Sequence, residues 1–143
     1  MRVALVGSDV AWAAVKWFSY AELRSHVLEE CAERGLACAV ATVTRDSLCS
    51  TKLLFLSEAH IVIAVGGELL MRNIVFARPG AAVMEVVPDG DGSRTEQQQA
   101  VRRDMVALGL RYEQVRTCPA RWHAGLLLLP WLGRVALRQL SYK

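Results

Sequence analysis

No apolar run in this sequence reaches the roughly 20 residues that a membrane-spanning helix requires. No charged-then-apolar leader opens it either: Arg2 to Gly7 is a strand-like run, too short for a signal core. The reading from these absences is a chain with no transmembrane segment. Histidine is scarce, and none of His26, His60 and His123 is paired with a serine or cysteine nucleophile, so no triad is read and each is assigned a structural place. The cysteines Cys31, Cys38, Cys49 and Cys118 show neither CxxC spacing nor a paired histidine, which argues against a zinc site and leaves them as core residues; no metal is expected. A formal charge of +3 is too small to mark a nucleic-acid binder. Repeats and low-complexity linkers are absent as well.

What is present is apolar. Hydrophobic residues make up 53% and charged residues 22% of 143 positions, enough for one domain with a single core and suited to a parallel sheet covered on both faces. Short β-rich runs alternate with helical stretches. The runs are Arg2 to Gly7, Leu36 to Val43, His60 to Val65, Ala82 to Val87 and Leu110 to Arg116. Helices are expected from Ser19, where Ser19 and Glu22 form a capping box, to a stop at Arg34-Gly35; over Ser47 to Glu58; through Leu69 to Phe76, ended by Arg78-Pro79-Gly80; and from Thr95 to Leu108, with Gly109 as the stop. This alternation predicts an α/β fold, a Rossmann-like doubly wound parallel sheet of about five strands with right-handed crossovers. The domain is expected over residues 1–118. Residues 119–143 are read as a C-terminal helical segment, interrupted by Pro130 and Gly133, that packs on the domain or on a partner through Trp122, Leu126, Leu129 and Trp131.

Ligands of open parallel sheets bind beyond the carboxyl ends of the strands. Three groups fall there: Ser8 and Asp9 after the first strand, Gly66, Gly67 and Glu68 after the third, and the stretch from Glu85 to Asp89 at the end of the fourth. Gly66-Gly67 lets backbone approach a phosphate, whereas Glu68 would repel one and accept from a hydroxyl instead. Glu85 is a carboxylate inside the apolar run AAVMEVVP, so it requires a partner or water: a salt bridge or an exposed place at the strand end, or else a ribose or sugar hydroxyl.

In order, RVALVG, SYAEL, SEAHIVIAVGGELLMRNIVFARPGAAVMEVVPDG and MVALGLRY resemble the C-terminal nucleotide-sugar-binding lobe of the glycosyltransferase 61 family, through Asn73, Phe76, Pro79-Gly80, Glu85 and Pro88. That resemblance implies half of a GT-B enzyme, with a UDP-sugar as donor substrate, no cofactor, and Ser8, Asp9, Gly66, Gly67, Glu68, Asn73 and Glu85 around the donor. It also implies a Golgi or ER lumenal setting, against a cytoplasmic one if Met1 is the true start. The family's turn histidine and first-strand arginine are missing, and there is no room for an acceptor lobe. The expectation is therefore a donor lobe that transfers sugar once completed by the missing lobe; the alternative is an inactive glycosyltransferase-like pseudoenzyme serving as a structural or protein-binding subunit. A plain nucleotide-binding Rossmann domain is the third reading.

Overall fold

The computed structural model describes residues 1–7, 20–44, 47–65, 73–87 and 95–116. Five strands run through them: β1 (Arg2–Val6), β2 (Ala39–Val43), β3 (Ile61–Val65), β4 (Ala82–Val87) and β5 (Arg111–Arg116). Between them lie helices α1 (Tyr20–Glu33), α2 (Cys49–Glu58) and α3 (Thr95–Ala107), with a short 3-10 turn over Ile74–Phe76. All strand pairs are parallel, and the order across the sheet is β2-β1-β3-β4-β5. The expected α/β class and five-stranded parallel sheet are therefore present.

Strand alternation divides the core into two layers, one on each face of the sheet. On one face Val3 and Leu5 of β1, Ile61, Ile63 and Val65 of β3, and Met84 and Val86 of β4 pack with Leu23, Val27 and Cys31 of α1. Those three recur along one side of the helix, as the sequence spacing predicted. On the other face Ala4, Val6, Val62, Ala64 and Val83 meet Leu56 of α2, Ile74 of the 3-10 turn and Val101 and Met105 of α3. Every residue of β3 is buried, which is why HIVIAV carries no polar alternation.

Glycine ends two of the helices by the same device. After α1, Gly35 takes φ +65°, its N–H reaches the Ala32 carbonyl at 2.9 Å and the Leu36 N–H reaches the Cys31 carbonyl at 2.8 Å. After α3, Gly109 takes φ +70°, with Gly109 N–H on Val106 and Leu110 N–H on Met105, both at 2.9 Å. These are Schellman closures, which need a left-handed residue just past the helix and so favour glycine. The first one delays the second strand: β2 begins at Ala39 instead of Leu36, because Leu36 to Cys38 are used in reversing the chain. Similarly, α2 begins at Cys49, two residues beyond the expected Ser47, whose hydroxyl accepts from the Thr44 N–H at 3.0 Å and forms a turn. Ser19 and residues 119–143, with Trp122, Leu126, Leu129 and Trp131, lie outside the described residues, as do Leu69 to Arg72 of the helix expected through Phe76. No helix among the described residues is long and apolar enough to cross a membrane.

Candidate functional site

The crossovers out of β1 and out of β3 leave in opposite directions. From β1 the chain passes through α1, on one face, to β2 at the sheet edge; from β3 it passes by the 3-10 turn, on the other face, to β4. Because β1 and β3 are neighbours, paired from Val3↔Ile61 to Val6↔Ala64, their carboxyl ends lie side by side where the two connections depart, the place at which open parallel sheets bind ligands. Val6 and Val65, at those two strand ends, are apolar and each 1% exposed. The Gly7 N–H, bonded to the Val43 carbonyl at 3.1 Å, marks the last described residue beyond β1.

Ser8 and Asp9 follow directly from β1, and Gly66, Gly67 and Glu68 directly from β3, so the fold brings together the strand ends that carry both groups. The five residues themselves lie outside the described residues. Two other expected site residues are described and buried: Asn73, at the head of the 3-10 turn, is 6% exposed, and Glu85, on β4, is 5% exposed.

Glu85 has no salt bridge among the described residues. It accepts hydrogen bonds on Oε2 from the Tyr112 hydroxyl and from Gln114 Nε2, the latter at 3.2 Å. Strand register explains the cluster: Glu85 stands opposite Gln114, and Tyr112 lies two residues earlier on the same side of β5. Two donors on a buried carboxylate satisfy the requirement seen in the sequence without a second charge. Neither Tyr112 nor Gln114 was anticipated. The available signal was Tyr-x-Gln at strand spacing, one strand after an acid in an apolar run.

Burial pushes the Tyr112 hydroxyl above its ordinary range, and the hydrogen bond to Glu85 and that carboxylate's charge push it further; Gln114 and the Arg102 guanidinium oppose them in part. Since the folded state holds this proton more tightly than the unfolded chain does, the stabilisation is complete below the ordinary tyrosine range near pH 10 and declines as pH rises above it. Urea midpoints measured between pH 9 and 11 should therefore fall more steeply for the wild type than for Tyr112→Phe. Parallel curves would exclude a perturbed Tyr112.

Among the described residues, two of the histidines have polar neighbours away from these strand ends. At the opposite, amino-terminal edge of the sheet, His60 Nδ1 accepts from the Arg2 N–H at 3.3 Å and Nε2 lies 3.4 Å from an Arg78 guanidinium nitrogen, while Arg2 pairs with Glu58. His26 sits 3.4 Å from Glu29 on the exposed side of α1. His123 and Cys118 lie outside the described residues. Of the cysteines expected in the core, Cys31 is buried there and is joined by a disulfide to the half-buried Cys38, a bond not anticipated from the sequence, whereas Cys49 is exposed. The reversal at Gly35 folds the start of β2 back against the end of α1, and this closes the pair.

No protein-family model matches the chain, and no curated protein matches it in sequence. Solved structures do. The flavodoxin-like domain of a Synechococcus protein superposes with a TM-score of 0.61 at 14% identity, covering 100% of both chains. A flavodoxin from Streptococcus pneumoniae superposes with a TM-score of 0.52 at 16% identity, covering 99% of this chain and 98% of that one. The strand order β2-β1-β3-β4-β5 is the flavodoxin-like one.

These likenesses overturn the resemblance to glycosyltransferase family 61, and with it the GT-B lobe, the nucleotide-sugar donor, the inactive glycosyltransferase-like alternative and the expectation of no cofactor. The chain superposes on a flavodoxin-like domain along the full length of both. The residues that carried the resemblance have duties common to parallel α/β domains. Pro79 and Gly80 turn the chain into β4, with Gly80 at φ +81°. Asn73 opens the 3-10 turn and Phe76 closes it against the core, while Glu85 serves Tyr112 and Gln114. The fold of this chain is flavodoxin-like.

Proposed function

We propose that this chain is a flavin-binding domain that holds flavin mononucleotide at the paired carboxyl ends of β1 and β3. The observation that carries the proposal is the strand order, which puts the switch point of the sheet at β1/β3. The available residues suit such a ligand. A flat apolar ring system needs apolar and aromatic surroundings; Val6 and Val65 are apolar at the two strand ends, and Trp12 and Trp17 follow β1 in the chain. Ser8 offers a hydroxyl to the phosphate, and Gly66-Gly67, without side chains, leaves backbone amides accessible to it. The carboxylates of Asp9 and Glu68 would repel the phosphate, so their place is with the ligand's hydroxyls and ring N–H groups. Buried Asn73 and Glu85 stand on the 3-10 turn and on β4, the elements that follow β3 in the chain. When bound, a flavin supplies one- and two-electron transfer; the protein's part is to hold it, exclude water from the ring and set the hydrogen bonds around it.

Calorimetric titration of the purified chain tests this. Flavin mononucleotide should bind with a Kd of about 1 µM or tighter, corresponding to about −8 kcal/mol. Gly67→Asp should weaken binding at least tenfold, by placing a charge and a side chain where backbone meets phosphate. UDP should not bind. An absence of binding at about 1 mM flavin mononucleotide, weaker than about −4 kcal/mol, would end the proposal.

A further inference from the structure

We propose that Cys31 and Cys38 form a reversible dithiol–disulfide site, a redox-modification site at the end of the sheet away from the carboxyl ends of β1 and β3. The Sγ atoms are bonded across a Cα–Cα distance of 6.1 Å, within the range that a disulfide spans without backbone movement. Cys31 lies on the last turns of α1 and Cys38 just before β2, so the bond ties the end of the helix to the edge strand of the sheet.

The surroundings satisfy both redox states. The reversal between the two cysteines is closed by backbone alone, through the Gly35–Ala32 and Leu36–Cys31 hydrogen bonds, and the buried Glu30 carboxylate is held by Arg34. At its other end α1 is tied to β2 by the Thr42 hydroxyl donating to Tyr20. Breaking the S–S bond therefore leaves the turn and the helix docking intact. As a thiol, Cys31, 4% exposed among Leu23, Val27 and Leu36, packs as a small apolar residue. Cys38 is only half-buried, so of the two residues it is the more exposed to an incoming thiol.

The exchange partner is a low-molecular-weight thiol such as glutathione. Its thiolate attacks Cys38 Sγ, and the S–S bond breaks with the electron pair leaving on Cys31 Sγ, which takes a proton. A second thiolate attacks the small molecule's sulfur in the mixed disulfide and releases Cys38, which is protonated in turn. Two electrons and two protons reach the protein, and two small thiols become one disulfide.

The wild-type chain, purified without reductant, is unfolded, alkylated and mapped by peptide mass spectrometry. The expected pattern is a Cys31–Cys38 cross-link with label on Cys49. After equilibration with increasing ratios of reduced to oxidised glutathione, Cys31 and Cys38 should acquire label together. The far-ultraviolet circular dichroism should be retained, and Tm should fall by about 5–10 °C for loss of so short a loop. Amide exchange at Ala39 and Val40 should quicken. Label on Cys31 and Cys38 at every ratio, a link from either one to a different cysteine, or loss of the native spectrum on reduction would each overturn the proposal.

Discussion

Ile63→Ala is expected to lower stability by about 3–4 kcal/mol, and Tm by roughly 10 °C, because a buried isoleucine leaves a cavity that a close-packed sheet refills poorly. Ile63 is 0% exposed at the centre of β3, between Leu5 of β1 and Met84 of β4 in register, with the buried face of α1 in the same core layer. Neighbouring strands on both sides restrict relaxation more than at an edge. The control is Leu54→Ala on α2, which is 54% exposed and should change stability by less than about 0.5 kcal/mol. Chemical denaturation of both variants checks the pair. Equal effects would mean that the central strand does not carry the core.

The second large effect belongs to the polar cluster on β4 and β5. Glu85→Ala removes the acceptor of two donors and leaves a buried void beside them, and should cost about 2–4 kcal/mol. Glu85→Gln keeps the volume and one carbonyl acceptor, and should cost roughly 1 kcal/mol. Tyr112→Phe leaves the buried carboxylate with Gln114 as its one described donor. If the hydroxyl and the carboxylate act as a unit, the double variant Glu85→Gln/Tyr112→Phe should lose less than the sum of the single losses, by at least about 0.5 kcal/mol. Additive losses would show that the two side chains are neighbours without being coupled.

Much of the fold was legible in the residues, for identifiable reasons. The unbroken apolar run over Ile61–Val65 reads as a strand buried on both sides because no polar residue interrupts it. Leu23, Val27 and Cys31 disclose the buried side of α1, and Gly35 and Gly109 disclose the helix ends, because those signals are local. The order of the strands was not legible. Whether β1 pairs with β3 is decided by contacts such as Val3↔Ile61 between distant parts of the chain, and the same alternation of strands and helices fits several orders. A family resemblance built on Pro79-Gly80, Asn73 and Glu85 could therefore attach to the wrong parallel α/β fold.

The site shows the same division. Glu85 was recognisable as a carboxylate in need of a partner, but its partners lie one strand away, and only the register of β4 on β5 names Gln114 and Tyr112. The disulfide was hidden because a spacing of seven means little until Gly35 reverses the chain between the two cysteines. Ser8, Asp9, Gly66, Gly67 and Glu68 were selected for following strand ends, and β1 and β3 do end side by side.

The proposed flavin site lies at the paired carboxyl ends of β1 and β3. Its most direct test is amide chemical-shift mapping of the isotope-labelled chain during addition of flavin mononucleotide. Shifts should concentrate at Gly7, Ser8, Gly66 and Gly67, with Arg2, His60 and Arg78 at the opposite edge of the sheet unmoved. Shifts confined to that opposite edge, or none at saturating flavin mononucleotide, would contradict it.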